Sequence, residues 1–299
     1  MTTWYRELFA RLRQRANARI RGAAGLNISP PPRCTNPEES YSDVYGVARV
    51  VHGDLPSMLV GGLGSLFFQM LHPHAMAGVA EYSRYQDDPL GRLLQTANFI
   101  GSTTYGSKAS AKEAIDRVLN VHRYVHGVAD DGEPYDANDP HLLLWVHCAE
   151  IYMFLNSYRR FGATRLSDEQ ADQYVLEMVP LARDLGVLEP PYNVAQLNTT
   201  LLGFLPELRL TLDGVVARDF VARRVVTSRS QRFVHRLFVL SAWSLLPFWA
   251  AELLGVRTNV LFDRLIVRPS TRTLSALFRL AVPAPRQVAM VSPPSTTTT

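Results

Sequence analysis

Helix-start signals recur along this chain and strand signals do not, which confines it to an all-α fold. Ser110-Ala-Lys-Glu113 and Ser167-Asp-Glu-Gln170 have the spacing of capping boxes, in which a serine oxygen and a Glu or Gln side chain satisfy each other's orphan backbone donors. Asp139-Pro140 is a third start, an N-capping carboxylate followed by a proline whose missing N–H costs nothing in the first turn. These signals predict helices near 111–126, 140–160 and 168–184. Apolar residues recurring at three- and four-residue intervals predict others near 3–21, 55–71, 74–83, 89–104, 192–204, 212–226, 231–254 and 272–281, with Gly or Pro close to most ends. Internal repeats of solenoid length are absent.

With 299 residues, 47% of them hydrophobic, the chain can bury a sizeable core. One all-helical domain is expected over 41–283. Residues 1–40 would precede it as a basic amphipathic helix and a Gly- and Pro-containing connector, and 284–299, ending SPPSTTTT, would follow as a disordered tail. The run Phe238–Glu252 is too short and too interrupted by Pro247 to span a bilayer, which takes about 20 apolar residues; it reads as a kinked core helix. The net charge of +4 is almost all arginine, Lys108 and Lys112 being the only lysines. These basic residues are spread rather than gathered beside aromatics, so nucleic acid is not an expected partner. The exception is the N-terminus, where Arg6, Arg11, Arg13, Arg15, Arg19 and Arg21 alternate with Trp4, Leu8, Phe9, Leu12 and Ile20. That helix either packs on the body or lies on a membrane surface. Lacking a signal-peptide pattern, the chain is expected in the cytoplasm, possible membrane contact being peripheral and through this helix. Cys34 and Cys148 are read as reduced thiols.

Chemistry-bearing residues gather in two helices. Arg92, Gln95, Thr96 and Phe99 share one face of the helix near 89–104. In the next, His122 and His126 stand at i and i+4, with Gly127 as the closing C′ residue. A third helix carries Trp145-Val146-His147. A buried Arg, Thr and His on rigid helices is more than packing requires. Zinc-protease chemistry needs a glutamate after the first histidine, where Arg123 stands. Di-iron carboxylate sites need Glu-x-x-His pairs, and the chain has none. Gly62-Leu-Gly-Ser65 lacks the last glycine and the strand of a nucleophile elbow. Haem asks for less: one neutral imidazole, an apolar slot, and cations or hydroxyls around it. A histidine satisfied within a core is the competing reading.

The segment from Gly61 to Phe161 resembles the DUF2236 family, which groups oxygenase MpaB with the latex-clearing rubber oxygenases. The matching elements are, in order, Gln69-x-x-His72-Pro73, Val79 and Ser83, Asp88-Pro89-x-Gly91-Arg92-x-x-x-Thr96, Tyr105-Gly106, His122-x-x-Val125-x-Gly127, Gly132-x-x-Tyr135, and Asp139-Pro140-x-Leu142-Leu143-x-Trp145-Val146-His147. Leu245-Leu246-Pro247 and Leu254-Gly255 fit the C-terminal part. The resemblance implies a single large helical domain, of a rubber-oxygenase or globin-like type, enclosing haem b. It makes His122 the proximal iron ligand, with His126 as competitor, and places Arg92 and Thr96 on the distal face. His72 and His147 belong to the family's motifs as further cofactor-side residues, against a helix-end hydrogen bond for His72 and a backbone-bonded core imidazole for His147. Where rubber oxygenases carry a distal lysine this chain has Gln95, and the acid that serves them as base has no counterpart before Arg92.

The activity so implied is a haem-dependent oxygenase or related oxidoreductase. Its substrate would be apolar and unsaturated, an isoprenoid or a lipid, with dioxygen as partner. Two other readings stand beside it: a haem- or lipid-binding helical protein without turnover, and a haem enzyme of another type such as a peroxidase or dehydrogenase.

Overall fold

In a computed structural model describing residues 33–83, 85–223 and 229–281, the chain is helical throughout apart from one short hairpin. The expected helix over 3–21 and the tail after 283 lie outside the described residues. The helices are α1 (Val47–Gly53), α2 (Leu55–Gln69), α3 (Pro73–Tyr82), α4 (Pro89–Tyr105), α5 (Lys108–His122), α6 (Pro140–Phe161), α7 (Asp168–Glu177), α8 (Val179–Asp184), α9 (Val194–Gly203), α10 (Leu212–Arg223), α11 (Arg229–Trp243) and α12 (Phe248–Leu253). A single turn, α13 (Val260–Phe262), leads through a π turn at Asp263–Val267 into α14 (Arg268–Ala281).

The centre of the molecule is α2 against α6, with α11 packed on α2, α14 packed on both and α9 on α6. Glycines let the central pair close: a Cβ at Gly61 would lie 2.8 Å from Phe154 Cδ1 and 3.1 Å from its Cα, and one at Gly64 would strike the Met153 methyl. Around this contact Phe67, Phe68, Trp145, Ile151 and Leu155 are sealed from solvent, each worth about 1.5–3 kcal/mol of transfer free energy. Trp145 donates its indole N–H to the Gln69 carbonyl, so this large side chain is buried without an orphan donor. Asp54 ties three ends together. Its carboxylate caps α2 through Ser57 N, accepts from Ala163 N beyond α6, and takes the Arg279 guanidinium of α14 at 2.9 and 3.0 Å.

The predicted caps at Asp139 and Ser167 form, the latter as a complete capping box. Ser110 does not cap. Helix α5 starts three residues earlier on Ser107, whose oxygen accepts from Ser110 N, and Ser110 Oγ turns back onto the Ser107 carbonyl. Two predicted helices are divided. Pro180 sits in the first turn of α8, separating it from α7, and Pro247 ends the run 231–254 as the N-cap of α12, so the proline breaks this helix rather than kinking it. The bulky ring forbids a continuous ladder at either point. Both cysteines are free thiols, and burial pushes the Cys148 pKa up to about 12. Among the described residues no helix is long and apolar enough to cross a membrane.

Candidate functional site

Helices α4 and α5 form a hairpin joined only by Gly106 and Ser107. Because the link is so short, residues equally far from it on the two helices stand level, which brings His122 at the end of α5 opposite Arg92 near the start of α4. The link is pinned from outside: Cys34 N donates to Tyr105 O, Tyr41 N to Gly106 O and Lys108 N to Glu39 O, and Ser40 bridges Ser107. Burial rises along α4 towards this pinned end. Thr103, Thr104 and Tyr105 are buried, whereas Arg92, Gln95 and Thr96 are exposed. The expectation that the arginine and threonine are buried is therefore corrected. Thr96 donates to the Arg92 carbonyl one turn back, as helical threonines do when no other acceptor offers itself. Although Arg92 carries accessible surface, its guanidinium sits in a crowded recess, and desolvation lowers its pKa.

His122 is the last residue of α5. The helix stops there because the chain turns at Arg123–Tyr124 and enters a hairpin, β1 (His126–Val128) against β2 (Pro134–Asp136). His126 consequently lies on a strand and is exposed, not one helical turn from His122 on the same face. Gly127 pairs with Tyr135 in mid-strand instead of closing the helix, and a Cβ there would meet Tyr135 and Glu81 at 3.1 Å. The hairpin is seated on α3: Tyr82 donates to the His126 carbonyl, and Tyr135 donates to Glu81 Oε2 at 2.6 Å. Half-buried His122 keeps a buried Nδ1 with no hydrogen-bond partner among the described residues. Desolvation and the positive charge of Arg92 lower its pKa, and Asp136 of β2 opposes them. The imidazole is thereby held neutral at physiological pH.

His147, buried in α6, has an orphaned Nε2 and a pKa lowered by desolvation to about 4; the expected hydrogen bond from this imidazole to backbone does not form. His72 does bond at its helix end, its Nδ1 accepting from His74 N as the N-cap of α3. Its Nε2 points towards Glu207 at 3.6 Å, and the same carboxylate holds His141 at 2.9 Å. His72 thus belongs to a junction of α3, α6 and the turn at 205–207, and among the described residues no hydrogen bond, ion pair or ring contact joins it to Arg92 or His122.

Two groups escaped the sequence reading. His52 of α1 is enclosed between Thr104 Oγ1 at 2.7 Å and the Tyr174 hydroxyl at 3.0 Å, and burial lowers its pKa to about 4. Nothing in Val50-Val51-His52-Gly53 marks it, since both partners are remote in sequence. Glu150 of α6 could have been found. It is the only acid in the run from Pro140 to Phe161. It keeps some accessible surface, yet neighbours crowd it enough for desolvation to raise its pKa to about 7.

No curated protein and no solved structure matches the chain. A family model does, the ER-bound oxygenase mpaB/B'/rubber oxygenase catalytic domain, over residues 49–280. That span begins within α1 and ends one residue short of the end of α14. It takes in the α2–α6 centre, the α4–α5 hairpin and the strands together, and the chain belongs to the mpaB/rubber oxygenase catalytic-domain family.

Proposed function

We propose that this protein is a haem b-dependent oxygenase acting with dioxygen on an apolar, unsaturated substrate, an isoprenoid or a lipid. The observation that carries the reading is His122: a neutral imidazole with a buried, unpartnered nitrogen at the end of α5, level with the cation of Arg92. Among the described residues no group of three or more His, Cys, Asp or Glu converges to hold a bare metal ion. A cofactor that asks the protein for one imidazole suits this chain. His122 would hold the haem. His126, exposed on its strand, is the weaker ligand, and buried His147 would line the pocket rather than bind iron.

When bound, the group supplies the one-electron and dioxygen chemistry that side chains lack. The chain's own residues position and stabilise. Arg92 presents a fixed cation, and Thr96 a hydroxyl one turn away, to negative charge developing on oxygen, preorganised donors whose removal costs about 10²–10³ in rate. Gln95, beside Thr96, adds an amide that can orient either oxygen or substrate without a charge. The same positive charge discourages protonation of His122 and keeps its lone pair free. Adding both atoms of dioxygen across a carbon–carbon double bond and cleaving it gives two carbonyl products, with no further reductant.

The test is the visible spectrum of the purified protein expressed with haem supply, beside His122→Ala, Arg92→Ala and His126→Ala. A Soret band lost only in His122→Ala, together with an Arg92→Ala protein that keeps the band and loses about 10²–10³ in product formation, is the expected pattern. A folded, colourless wild type overturns the haem reading, and loss of the band in His126→Ala alone overturns the ligand.

A further inference from the structure

The part of the chain that the site does not use but exposes most openly is the turn leading into α14. Val260, Leu261, Phe262, Leu265 and Ile266 are each between 48% and 70% exposed. They are not scattered. Residues four apart on a helical turn are neighbours, so Leu261 sits beside Leu265 and Phe262 beside Ile266, with Val260 at their edge. Only Asp263 and Val267, also four apart, face the body and are buried. Helix geometry widens to a π turn at this point, a departure frequently found at functional sites.

The charge along this stretch is mostly of one sign. Exposed Glu252 lies just before it, but from Gly255 to Ala281 the sequence contains five arginines and a single acid, Asp263. That acid is withdrawn from the surface: it is buried and engaged by Arg268 and Arg160. Arg257 and Arg264, by contrast, are exposed and make no ion pair or hydrogen bond among the described residues. Five contiguous aliphatic or aromatic side chains flanked by unpaired guanidinium groups match an interface that is apolar below and anionic above. A second copy of the chain is the other occupant that an apolar turn of this kind could take, and the test below separates the two.

We propose that the turn 257–266 docks the protein on a membrane surface carrying anionic lipid, Leu261, Phe262, Leu265 and Ile266 entering the headgroup boundary while Arg257 and Arg264 contact phosphate. The surface is separate from the Arg92–His122 site, and its test reads no turnover and no haem. Full-length protein is floated with phosphatidylcholine vesicles with and without phosphatidylserine, beside Leu261→Asp/Leu265→Asp and Arg257→Glu/Arg264→Glu, with circular dichroism confirming that both variants keep the wild-type helicity. The wild type is expected to float with the anionic vesicles. The leucine variant should lose at least about tenfold in partitioning, and the arginine variant should lose the preference for phosphatidylserine. Equal flotation of wild type and leucine variant overturns the proposal, as does a wild type that does not float. A concentration-dependent dimer in size-exclusion light scattering that the leucine variant abolishes also overturns it, and assigns the turn to a second copy of the chain.

Discussion

Three desolvated titratable side chains shape the pH dependence of this protein's stability. Burial lowers His52 and His147 from 6.5 to about 4. Their contribution to stability is therefore complete above about pH 6.5 and lost as pH falls through 4. Glu150 runs the other way. Its carboxyl is raised from 4.5 to about 7, so what it contributes is complete below about pH 4.5 and lost as pH rises through 7. Melting temperature should fall on both sides of weakly acidic pH, and Glu150→Gln should flatten the alkaline side alone, gaining about 1–3 kcal/mol at pH 8 in denaturant titrations. An unchanged alkaline limb in that variant would mean that Glu150 ionises freely. At this scale the sequence is uneven. A lone acid in an apolar helix announces itself, and so does the capping serine at 167. The partners of His52 are contributed by α4 and α7, which only the fold brings together. Arg92 and Thr96 were legible as neighbours on one face, but their exposure depended on where α4 stops being covered.

At the level of elements, the glycines of α2 divide by what they touch. Gly61→Ala would push a methyl group into the backbone and ring of Phe154 and should cost about 1–3 kcal/mol. Gly62→Ala meets Phe154 only at ordinary contact distance, 3.9 Å, and should gain about 0.5–1 kcal/mol from helix propensity. Equilibrium unfolding of the pair checks both signs at once, and equal effects would show that the α2–α6 contact is looser than described. Most helices could be read from their caps and apolar spacing because α-helical signals are local. Errors came where local signals compete. Ser107 and Ser110 both qualify as caps, and the earlier one wins because Gly106 releases the chain just before it. Prolines 180 and 247 fell inside apolar runs whose periodicity continues across the break. The hairpin at 126–136 was missed for another reason: strands of three residues show too little alternation to read, and Gly127 fits a helix terminus as well as a strand. His126 was consequently placed beside His122 on a helix that had already ended.

Across the whole molecule, the family assignment covers the α2–α6 centre and the α4–α5 hairpin alike, but the two are held in different ways. The centre is braced on several sides by other helices. The hairpin is fastened at its link, by strip 33–41 and by the hydrogen bond between Thr104 and His52, and beyond His122 by the strands seated on α3, whereas Arg92 near the start of α4 is exposed. Such an arrangement behaves as a clothes-peg. Local opening of the exposed jaw, α4, about the link would cost less than global unfolding and would give the haem proposed above a way in without disturbing the core. Amide exchange in the cofactor-free protein should accordingly be slowest in α2 and α6, intermediate at 103–105, and fastest over the first two turns of α4. Haem should slow those first turns most. Exchange at one common rate along α4 would mean that the peg has no spring, and that the cofactor must be captured while the chain is still folding.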